Sequence, residues 1–271
     1  MTNLKKILYG VSIDSTIGKM NKEVVMITTD SRLVKKKYLF IAINGSKYNG
    51  DDFIDQSIEY GASVIVSENF PKIINDKVTY IKVENIKKCL AIISNNFYEY
   101  PSKKIKLIGI TGTNGKTSTA LLLAQALRYQ NKKIGVISSE GSGVYPNLAE
   151  NEYTTPPLDI NYKYLRSFCK KKCDYVIIEC SSQGLHQGRL DGIHFTYSII
   201  TNIDQDHIEY HKSQKNYINS KLKILNQSRI SILNFDSKNL KNIDHLKYDC
   251  KKIFYISQNK MKNKKILNTS L

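Results

Sequence analysis

Residues 107–119 constrain the fold more than any other stretch of the chain. The apolar run from Leu107 to Ile110 predicts a buried strand, and residues 111–115, with the sequence TGTNG, predict a tight turn. Lys116 then leads into small and apolar residues typical of a helix. Strand, glycine-containing turn, lysine and helix is the order of parts in a phosphate-binding loop. The sequence therefore predicts an α/β fold with an anion site where this helix begins.

Each residue of this loop has a chemical reason for its place. Gly112 and Gly115 let the backbone turn and expose its N–H groups, and the helix N-terminus adds a partial positive charge. Lys116 can reach the terminal phosphates of a nucleotide, and the Thr117 hydroxyl can ligate Mg²⁺. The loop departs from the strict pattern because Ile110 stands where a glycine is expected. A strand–turn–helix corner without a ligand is the alternative, and the placement of these groups disfavours it.

Composition excludes several classes of protein. The net charge of +17 would suit a protein that binds nucleic acid. The lysines are scattered among many Asn, Ile and Tyr residues, however, so we expect neither a single basic face nor a nucleic-acid partner. No apolar run is long enough to span a bilayer, and the N-terminus lacks the pattern of a signal peptide, which predicts a cytoplasmic protein. The five cysteines form no CxxC pair, so neither a disulfide framework nor a zinc site is expected. Cys169 and Cys173 are expected on one face of a helix.

Two α/β units are predicted, residues 1–102 and 103–271. The first should contain strands at 24–27, 38–43, 62–66 and 79–83, with helices at 51–60 and 86–98. The second should contain strands at 107–111, 134–137, 175–178, 195–200, 231–234 and 253–256, helices at 117–131, 161–173 and 216–225, and a loop that begins with Gly141-Ser142-Gly143. Alternation of strands and helices predicts a mostly parallel sheet flanked by helices.

Three candidate ligand groups directly follow predicted strands. The phosphate loop, Glu179 and Asn202 should meet at one edge of the sheet, because ligands gather at the carboxyl ends of parallel strands. Glu179 could hold Mg²⁺ directly or through water, or it could be a helix-capping or solvated glutamate. His207 lies in an acidic segment and could contact a metal or a phosphate, or be structural. His194 and His211 are expected to be surface or structural residues.

Two further motifs remain open on spacing alone. Thr154-Thr155-Pro156 could be an ordinary loop with hydroxyl groups beside a proline. Arg189 could be a surface arginine or an anion clamp.

Taken together, these motifs resemble the Mur ligase family, and within it the tripeptide synthetase (MurE-type) branch. Those enzymes use ATP to join an amino acid to UDP-N-acetylmuramoyl-dipeptide during peptidoglycan precursor synthesis. The resemblance rests on Thr111 to Thr117, Thr154-Thr155-Pro156, Glu179 to Leu185, Gln187-Gly188-Arg189, Thr201-Asn202, Asp206-His207, Tyr217 and Lys221, and in the first unit on Asp30-Ser31-Arg32, Leu39 to Ala42 and Gly61-Ala62.

The resemblance implies a role for each matching residue. The ATP site would comprise Gly112, Thr113, Asn114, Gly115, Lys116, Thr117 and Ser118. The uridine end of the substrate would contact Ser31, Ser46, Lys47 and Tyr48, and its muramoyl-diphosphate part would contact Thr154, Thr155, Ser181, Gln187 and Arg189. Magnesium would be held by Thr117, Glu179, His207 and Lys221, with Lys221 carbamylated, and the catalytic residues would be Lys116, Glu179, His207 and Lys221.

The implied reaction passes through an acyl phosphate, which the amine of an amino acid, expected to be a diamino acid, then attacks. The sequence departs from the family in carrying Gln183 where histidine is usual, Lys37 where a turn glycine is usual, and Asp52 where histidine is frequent. The family's C-terminal domain, which binds the amino acid, is expected to be absent, and the central sheet is expected to be incomplete. The alternatives are therefore a ligase, either supplied with its third domain by a separate chain or represented here by a truncated fragment, a remnant that binds without catalysis, and a basic P-loop nucleotidase or nucleic-acid protein.

Overall fold

The structure is a computed structural model that describes residues 1–45, 48–241, 243–244 and 247–258. The chain divides into two compact units, Met1–Tyr100 and Pro101–Leu271. The predicted boundary near residue 102 falls within the 3₁₀ helix Pro101–Lys103, at the start of the second unit. Within the described residues, no helix is both long enough and apolar enough to cross a bilayer.

The first unit is built around a five-stranded sheet. Its elements are β1 (Thr2–Asn3), α1 (Leu4–Ile7), β2 (Ser15–Ile17), β3 (Glu23–Val24), β4 (Met26–Thr28), β5 (Tyr38–Ile41), α2 (Ile54–Glu59), β6 (Ala62–Ser67), β7 (Thr79–Lys82) and α3 (Ile86–Phe97), with 3₁₀ helices at Ser31–Leu33 and Gly50–Phe53. The strand order is β2-β7-β6-β5-β4, with β2 antiparallel and the others parallel, while β1 and β3 form a separate antiparallel pair.

Local sequence accounts for the helices of this unit. The Asn85 side chain caps α3 by accepting from the Lys88 amide at 3.0 Å, and Ile86, Leu90 and Ile93 recur at helical spacing on its buried face. After α2, the predicted stop at Gly61 is confirmed, because Gly61 has a φ of +104°.

The single strand predicted at residues 24–27 is wrong. Val24 pairs within the small β1–β3 ribbon, whereas Met26 and Ile27 pair with β5 in the main sheet. Between them, the amide of Val25 donates to the carbonyl of Lys37 at 3.0 Å. Consecutive apolar residues therefore pair in two different sheets here, which the apolar character of the segment does not indicate.

The second unit contains an eight-stranded sheet with helices between its strands. Its elements are β8 (Lys106–Thr111), α4 (Lys116–Tyr129), β9 (Ile134–Ser138), β10 (Gly141–Val144), β11 (Asn147–Ala149), α5 (Leu158–Lys170), β12 (Tyr175–Glu179), α6 (Ser182–His186), β13 (Phe195–Ile200), α7 (Ile208–His211), α8 (Gln214–Leu222), β14 (Ser228–Asn234) and β15 (Lys252–Ile256), with 3₁₀ helices at Lys223–Gln227 and Lys238–Leu240.

The sheet order is β11-β10-β9-β12-β8-β13-β14-β15, and every pairing from β9 to β15 is parallel. Central strands of such a sheet are covered on both faces, which explains the nearly continuous apolar runs of β8 and β12. The predicted mostly parallel α/β fold is confirmed. Because parallel strands end at the same edge, the segments after Thr111, Glu179 and Ile200 are brought together there.

Two predictions in this unit are wrong. Gly141 to Gly143 do not begin a loop but lie in β10, where a Cβ on Gly141 would approach the Ala149 carbonyl at 2.5 Å. These glycines allow β11 to pack closely. The helix predicted at 161–173 begins earlier and ends at Lys170, and Lys172 has a φ of +53°, so Cys173 lies beyond the helix that carries Cys169.

The helix predicted at 216–225 is also shifted. It begins at Gln214, because the Ser213 side chain caps it by accepting from the Asn216 amide at 3.1 Å. It ends at Leu222 and continues as a 3₁₀ helix.

Candidate active site

The phosphate loop joins β8 to α4 and leaves the start of α4 open. Gly115 occupies the N-cap position with a φ of +78°, and no side chain caps the helix. The first N–H groups of a helix have no partner within it, so they are available to an external acceptor. The partial positive charge of the helix N-terminus favours an anion at this point.

Asn202 holds the other side of the loop against β13. Its carbonyl accepts from the Thr113 amide at 2.9 Å, and its Oδ1 accepts from the Asn114 amide at 3.0 Å. A Cβ on Gly112, whose φ is +155°, would overlap the Thr201 hydroxyl. The loop therefore requires glycine at this position in order to lie against the end of the neighbouring strand.

Two lysines converge on one carbonyl of the loop. Lys116 Nζ donates to the Gly112 and Thr113 carbonyls at 3.1 and 2.9 Å, and Lys221 Nζ donates to the Gly112 carbonyl at 2.6 Å. Lys221 is 1% exposed, and its amino group lies 4.7 Å from the centre of the Tyr217 ring. Burial, with the nearby charge of Lys116, lowers the pKa of Lys221 to about 7.

Glu179 is buried at the end of β12 and is engaged through both oxygens. Oε1 accepts from the Thr117 hydroxyl at 2.9 Å, and Oε2 accepts from the Ser139 amide at 3.0 Å and from its hydroxyl at 3.1 Å. A carboxylate and a hydroxyl are oxygen donors of the kind that Mg²⁺ prefers.

A protein-only metal cage is not found in the part of the chain that the structure describes, because no three His, Cys, Asp or Glu side chains cluster there to hold a metal ion. Mg²⁺ is commonly bound by one or two carboxylates together with substrate phosphates. The pair formed by Thr117 and Glu179 therefore fits a magnesium ion that a nucleotide helps to ligate.

Arg189 is held beside the TTP segment. Its Nη1 donates to the Thr155 carbonyl at 2.7 Å, its Nε donates to Gln187 Oε1 at 2.9 Å, and its guanidinium carbon lies 5.3 Å from the centre of the Tyr153 ring. Among the described residues no carboxylate forms an ion pair with Arg189, and burial lowers its pKa. The geometry favours the anion clamp over the surface arginine.

Lys116, Lys221 and Arg189 border one cavity of about 370 Å³, whereas Thr117 and Glu179 are not among its lining residues. Its lining residues come from the phosphate loop, the TTP segment, α6, the segment before α7, and α8: Lys116, Glu152, Tyr153, Thr154, Thr155, Ser181, Ser182, Gln183, Arg189, Asp206, His207, Tyr217 and Lys221. His207 has a φ of +50°, and its Nε2 lies 3.5 Å from Asp206 Oδ2. The cavity is thus large enough for a ligand and carries cationic groups on several sides.

Some predicted residues are occupied by internal contacts. The Thr155 hydroxyl donates to the Glu179 carbonyl at 2.8 Å, and Ser181 Oγ caps α6 by accepting from the Gly184 amide at 3.0 Å. Gln187 does not line the cavity, although it contacts Arg189. These hydroxyl groups therefore shape the cavity wall as much as they present donors to it.

The predicted residues of the first unit lie within that unit. Ser31 is buried, and its hydroxyl donates to Gln56 Oε1 at 2.9 Å, whereas Tyr48 is 71% exposed. Ser46 and Lys47 lie outside the described residues.

Sequence reasoning missed three groups at the site. Glu152 and Tyr153 line the cavity, and Ser139 holds Glu179 in place. The adjacency of Glu152 and Tyr153 to the TTP motif is a signal that could have identified them. Nothing in the sequence around Ser139 indicates its partner, because the contact joins residues 40 positions apart.

Two protein-family models match the chain. The model of the Mur ligase middle domain matches residues 110–270, and that of the Mur ligase family catalytic domain matches residues 23–98. Among curated relatives, the UDP-N-acetylmuramoyl-L-alanyl-D-glutamate–2,6-diaminopimelate ligase 1 of Clostridium acetobutylicum is 39% identical over 235 residues, covering 87% of this chain and 48% of the relative. The corresponding ligase of Phocaeicola vulgatus is 35% identical over 240 residues, covering 87% and 49%. The chain spans about half the length of these relatives.

Solved structures share the fold. A UDP-N-acetylmuramoyl-L-alanyl-D-glutamate–2,6-diaminopimelate ligase has a TM-score of 0.77 at 22% identity, covering 94% of this chain and 52% of that one. The MurF ligase of Thermotoga maritima, solved in complex with ADP, has a TM-score of 0.59 at 18% identity, covering 86% and 49%. Since the middle-domain model alone matches more than half of the residues, the chain belongs to the Mur ligase family.

Proposed function

We propose that this chain carries the nucleotide-binding and muramoyl-binding parts of an ATP-dependent ligase that adds a diamino acid to UDP-N-acetylmuramoyl-dipeptide in peptidoglycan precursor synthesis. The relatives described above are named as ligases of UDP-N-acetylmuramoyl-L-alanyl-D-glutamate and 2,6-diaminopimelate. One observation carries the proposal: Lys116 and Arg189 border a single cavity next to an uncapped helix N-terminus. Such a site suits two phosphorylated ligands better than one.

The phosphate loop would bind ATP. The backbone groups of Gly112, Thr113, Asn114 and Gly115 and the first turn of α4, which includes Thr117 and Ser118, would surround the phosphates. The Lys116 ammonium, which now donates to loop carbonyls, would turn to the terminal phosphate. That exchange replaces two neutral carbonyl acceptors by an anionic one, so the ammonium gains an ion pair with the phosphate.

Magnesium would be held by the Thr117 hydroxyl and the Glu179 carboxylate, with His207 and a carbamylated Lys221 as further ligands. When bound, Mg²⁺ neutralises the charge that develops on the transferring phosphoryl group. An ammonium at Lys221 would repel the ion, whereas a carbamate supplies anionic oxygens.

Burial supports this modification of Lys221. An amine with a pKa of about 7 is partly neutral under ordinary conditions, and only the neutral amine is nucleophilic. Its nitrogen attacks the carbon of CO₂, an N–C bond forms while one C–O π bond breaks and its electron pair moves to oxygen, and the nitrogen loses a proton to solvent. The product is an anion, whereas the unmodified side chain is neutral or cationic.

The sugar-nucleotide substrate would lie along the other wall. Arg189 would clamp its diphosphate, and Thr154, Thr155, Ser181 and Gln187 would border its muramoyl part. In the first unit Ser31 and Tyr48, together with Ser46 and Lys47 outside the described residues, would contact the uridine end.

The proposed reaction has two steps. A carboxylate oxygen of the dipeptide attacks the γ-phosphorus of ATP, the bond to the β-phosphate oxygen breaks, and ADP leaves. The amine of the amino acid then attacks the acyl carbon, phosphate leaves, and the nitrogen loses a proton. Lys116 and the loop amides would stabilise the charge on the transferring group, and fixed placement of both substrates would supply much of the rate.

Trapping of the acyl phosphate tests this proposal. The folded protein is incubated with ATP, Mg²⁺, UDP-N-acetylmuramoyl-L-alanyl-D-glutamate and hydroxylamine, and the hydroxamate is measured together with ADP. We expect hydroxamate only when all components are present, and none with Lys116→Ala. The control Lys132→Ala removes an exposed lysine of the same unit and should change nothing. Binding of neither ATP nor the UDP-sugar by the folded wild-type protein would contradict the proposal.

A further inference from the structure

His211, the last residue of α7, is buried behind the cavity and does not line it. Both of its ring nitrogens have hydroxyl partners. Nε2 lies 3.1 Å from Ser182 Oγ, and Nδ1 lies 3.3 Å from Ser220 Oγ. The two serines belong to different helices, α6 and α8, so His211 connects them.

The hydrogen-bond pattern assigns the protons. A serine hydroxyl carries one proton, and that of Ser220 is donated to the Asn216 carbonyl at 2.7 Å. Ser220 Oγ can therefore only accept from His211, which places the ring proton on Nδ1. In the neutral ring Nε2 is then an acceptor, and the Ser182 hydroxyl donates to it. Burial, together with the neighbouring His186, His207 and Lys221, lowers the pKa of His211 and favours this neutral form.

Three aromatic rings fix the imidazole in this orientation. The rings of His186, Tyr210 and Tyr217 each meet it edge to face, at centroid distances of 5.5, 4.7 and 5.4 Å and interplanar angles of 72°, 81° and 67°. The Asn216 side chain also donates to the His211 carbonyl at 3.0 Å. An imidazole held on both edges and by its backbone has little freedom to tilt.

Each serine is part of a wall of the cavity or adjoins one. Ser182 itself lines the cavity with Ser181 and Gln183, at the proposed sugar-nucleotide site, and Ser220 precedes the lining residue Lys221. Tyr217, which packs on the imidazole, has its ring 4.7 Å from the Lys221 amino group and its hydroxyl 2.8 Å from Thr113 Oγ1. A tilt of His211 would therefore move both walls.

We propose that His211 is a positioning residue that fixes the distance between the substrate wall on α6 and Lys221 on α8. This inference rests on the proposed function, because that function gives the two walls their ligands. His211 contacts neither ligand and acts only through Ser182, Ser220 and Tyr217.

The test follows Lys221 and the substrate wall by separate measurements in two variants. His211→Phe keeps a ring and loses both hydrogen bonds, and Ser182→Ala removes one of them. Carbamate at Lys221 is followed by ¹³C NMR in ¹³C-bicarbonate and is assigned by its loss in Lys221→Met. Affinity for UDP-N-acetylmuramoyl-L-alanyl-D-glutamate and for Mg–ADP is measured by calorimetry.

We expect both variants to lose most of the carbamate signal and to bind the UDP-sugar about tenfold more weakly, since small misplacements at such sites have large effects. Their affinity for Mg–ADP should fall by less than this, because the loop amides are not displaced and only the proposed Mg²⁺ ligand at Lys221 is lost. The control Ser198→Ala removes an equally buried serine hydroxyl, which bonds Ser231 at 2.7 Å within the sheet, and should leave all three measurements unchanged.

Two outcomes separate this inference from the proposed function. Suppose that wild type binds both Mg–ADP and the UDP-sugar. If folded His211→Phe or Ser182→Ala then binds both with the same affinities and gives the same carbamate signal, the positioning role is wrong. If folded wild type binds neither ligand, the proposed function itself fails. Should His211→Phe not fold, the carbamate signal of Ser182→Ala decides, because Ser182 lines the substrate wall and can affect Lys221 only through His211.

Discussion

Replacement of Lys221 by methionine should change how the stability of the protein depends on pH. The pKa of Lys221 is lowered from the ordinary 10.5 to about 7, chiefly by burial. Each unit of pKa difference is worth about 1.4 kcal/mol, so the free energy of unfolding should change by about 5 kcal/mol in total between the two pKa values. Below pH 7 both the folded and the unfolded chain carry the proton, so the charged lysine destabilises the fold fully there.

Above pH 7 the folded chain loses this proton while the unfolded chain keeps it until about pH 10.5. The unfolded state then binds more protons, so the free energy of unfolding rises with pH. Integration from pH 7 to pH 9 gives a gain of ~2 kcal/mol for wild type that Lys221→Met should lack.

Guanidinium unfolding followed by circular dichroism at both pH values measures this difference, in buffers purged of CO₂ so that no carbamate forms. Lys223→Met is the matched control, because Lys223 is exposed only two residues away, and its pH dependence should match wild type. Parallel pH dependence of wild type and Lys221→Met would refute the reasoning.

Three further substitutions, two of them with a comparison variant, test the site. Gly112→Ala should abolish Mg–ATP binding in a calorimetric titration, because a Cβ at this position overlaps the Thr201 hydroxyl. A Cβ on Gly115 meets nothing within 4 Å, so Gly115→Ala should lower the free energy of unfolding by only about 1 kcal/mol, on account of its φ of +78°. Arg189→Lys should weaken UDP-sugar binding about tenfold by losing the planar fork, whereas Arg229→Lys, at an exposed position, should not. Glu179→Gln should raise the Mg²⁺ concentration needed for nucleotide binding about 10-fold or more, and an unchanged Mg²⁺ dependence would contradict its role.

The phosphate loop could be predicted because its chemistry is local. The strand, the glycines, the lysine and the helix are consecutive, and the structure brings them together as expected. The position of Glu179 could also be predicted, because a residue that ends a parallel strand lies at the edge of the sheet where ligands gather.

The remainder depends on contacts between distant segments. Lys221 lies in the last turn of α8 and Lys223 begins the 3₁₀ helix that follows, and only packing against the loop makes Lys221 the buried one. Spacing left Arg189 open, and its position was decided by the Thr155 carbonyl, 34 residues away. The glycines around Gly141 predicted a loop. In the structure Gly141 lies in a strand, and its lack of a side chain lets the neighbouring strand approach closely.

Calorimetric titration of the folded chain with a non-hydrolysable ATP analogue, with and without Mg²⁺, tests the central claim most directly. The uncapped start of α4, Lys116 and the pair formed by Thr117 and Glu179 predict saturable one-to-one binding that weakens strongly without Mg²⁺ and is lost in Lys116→Ala. Absence of binding by folded protein, or binding that Lys116→Ala leaves unchanged, would contradict the assignment of this loop as the nucleotide site.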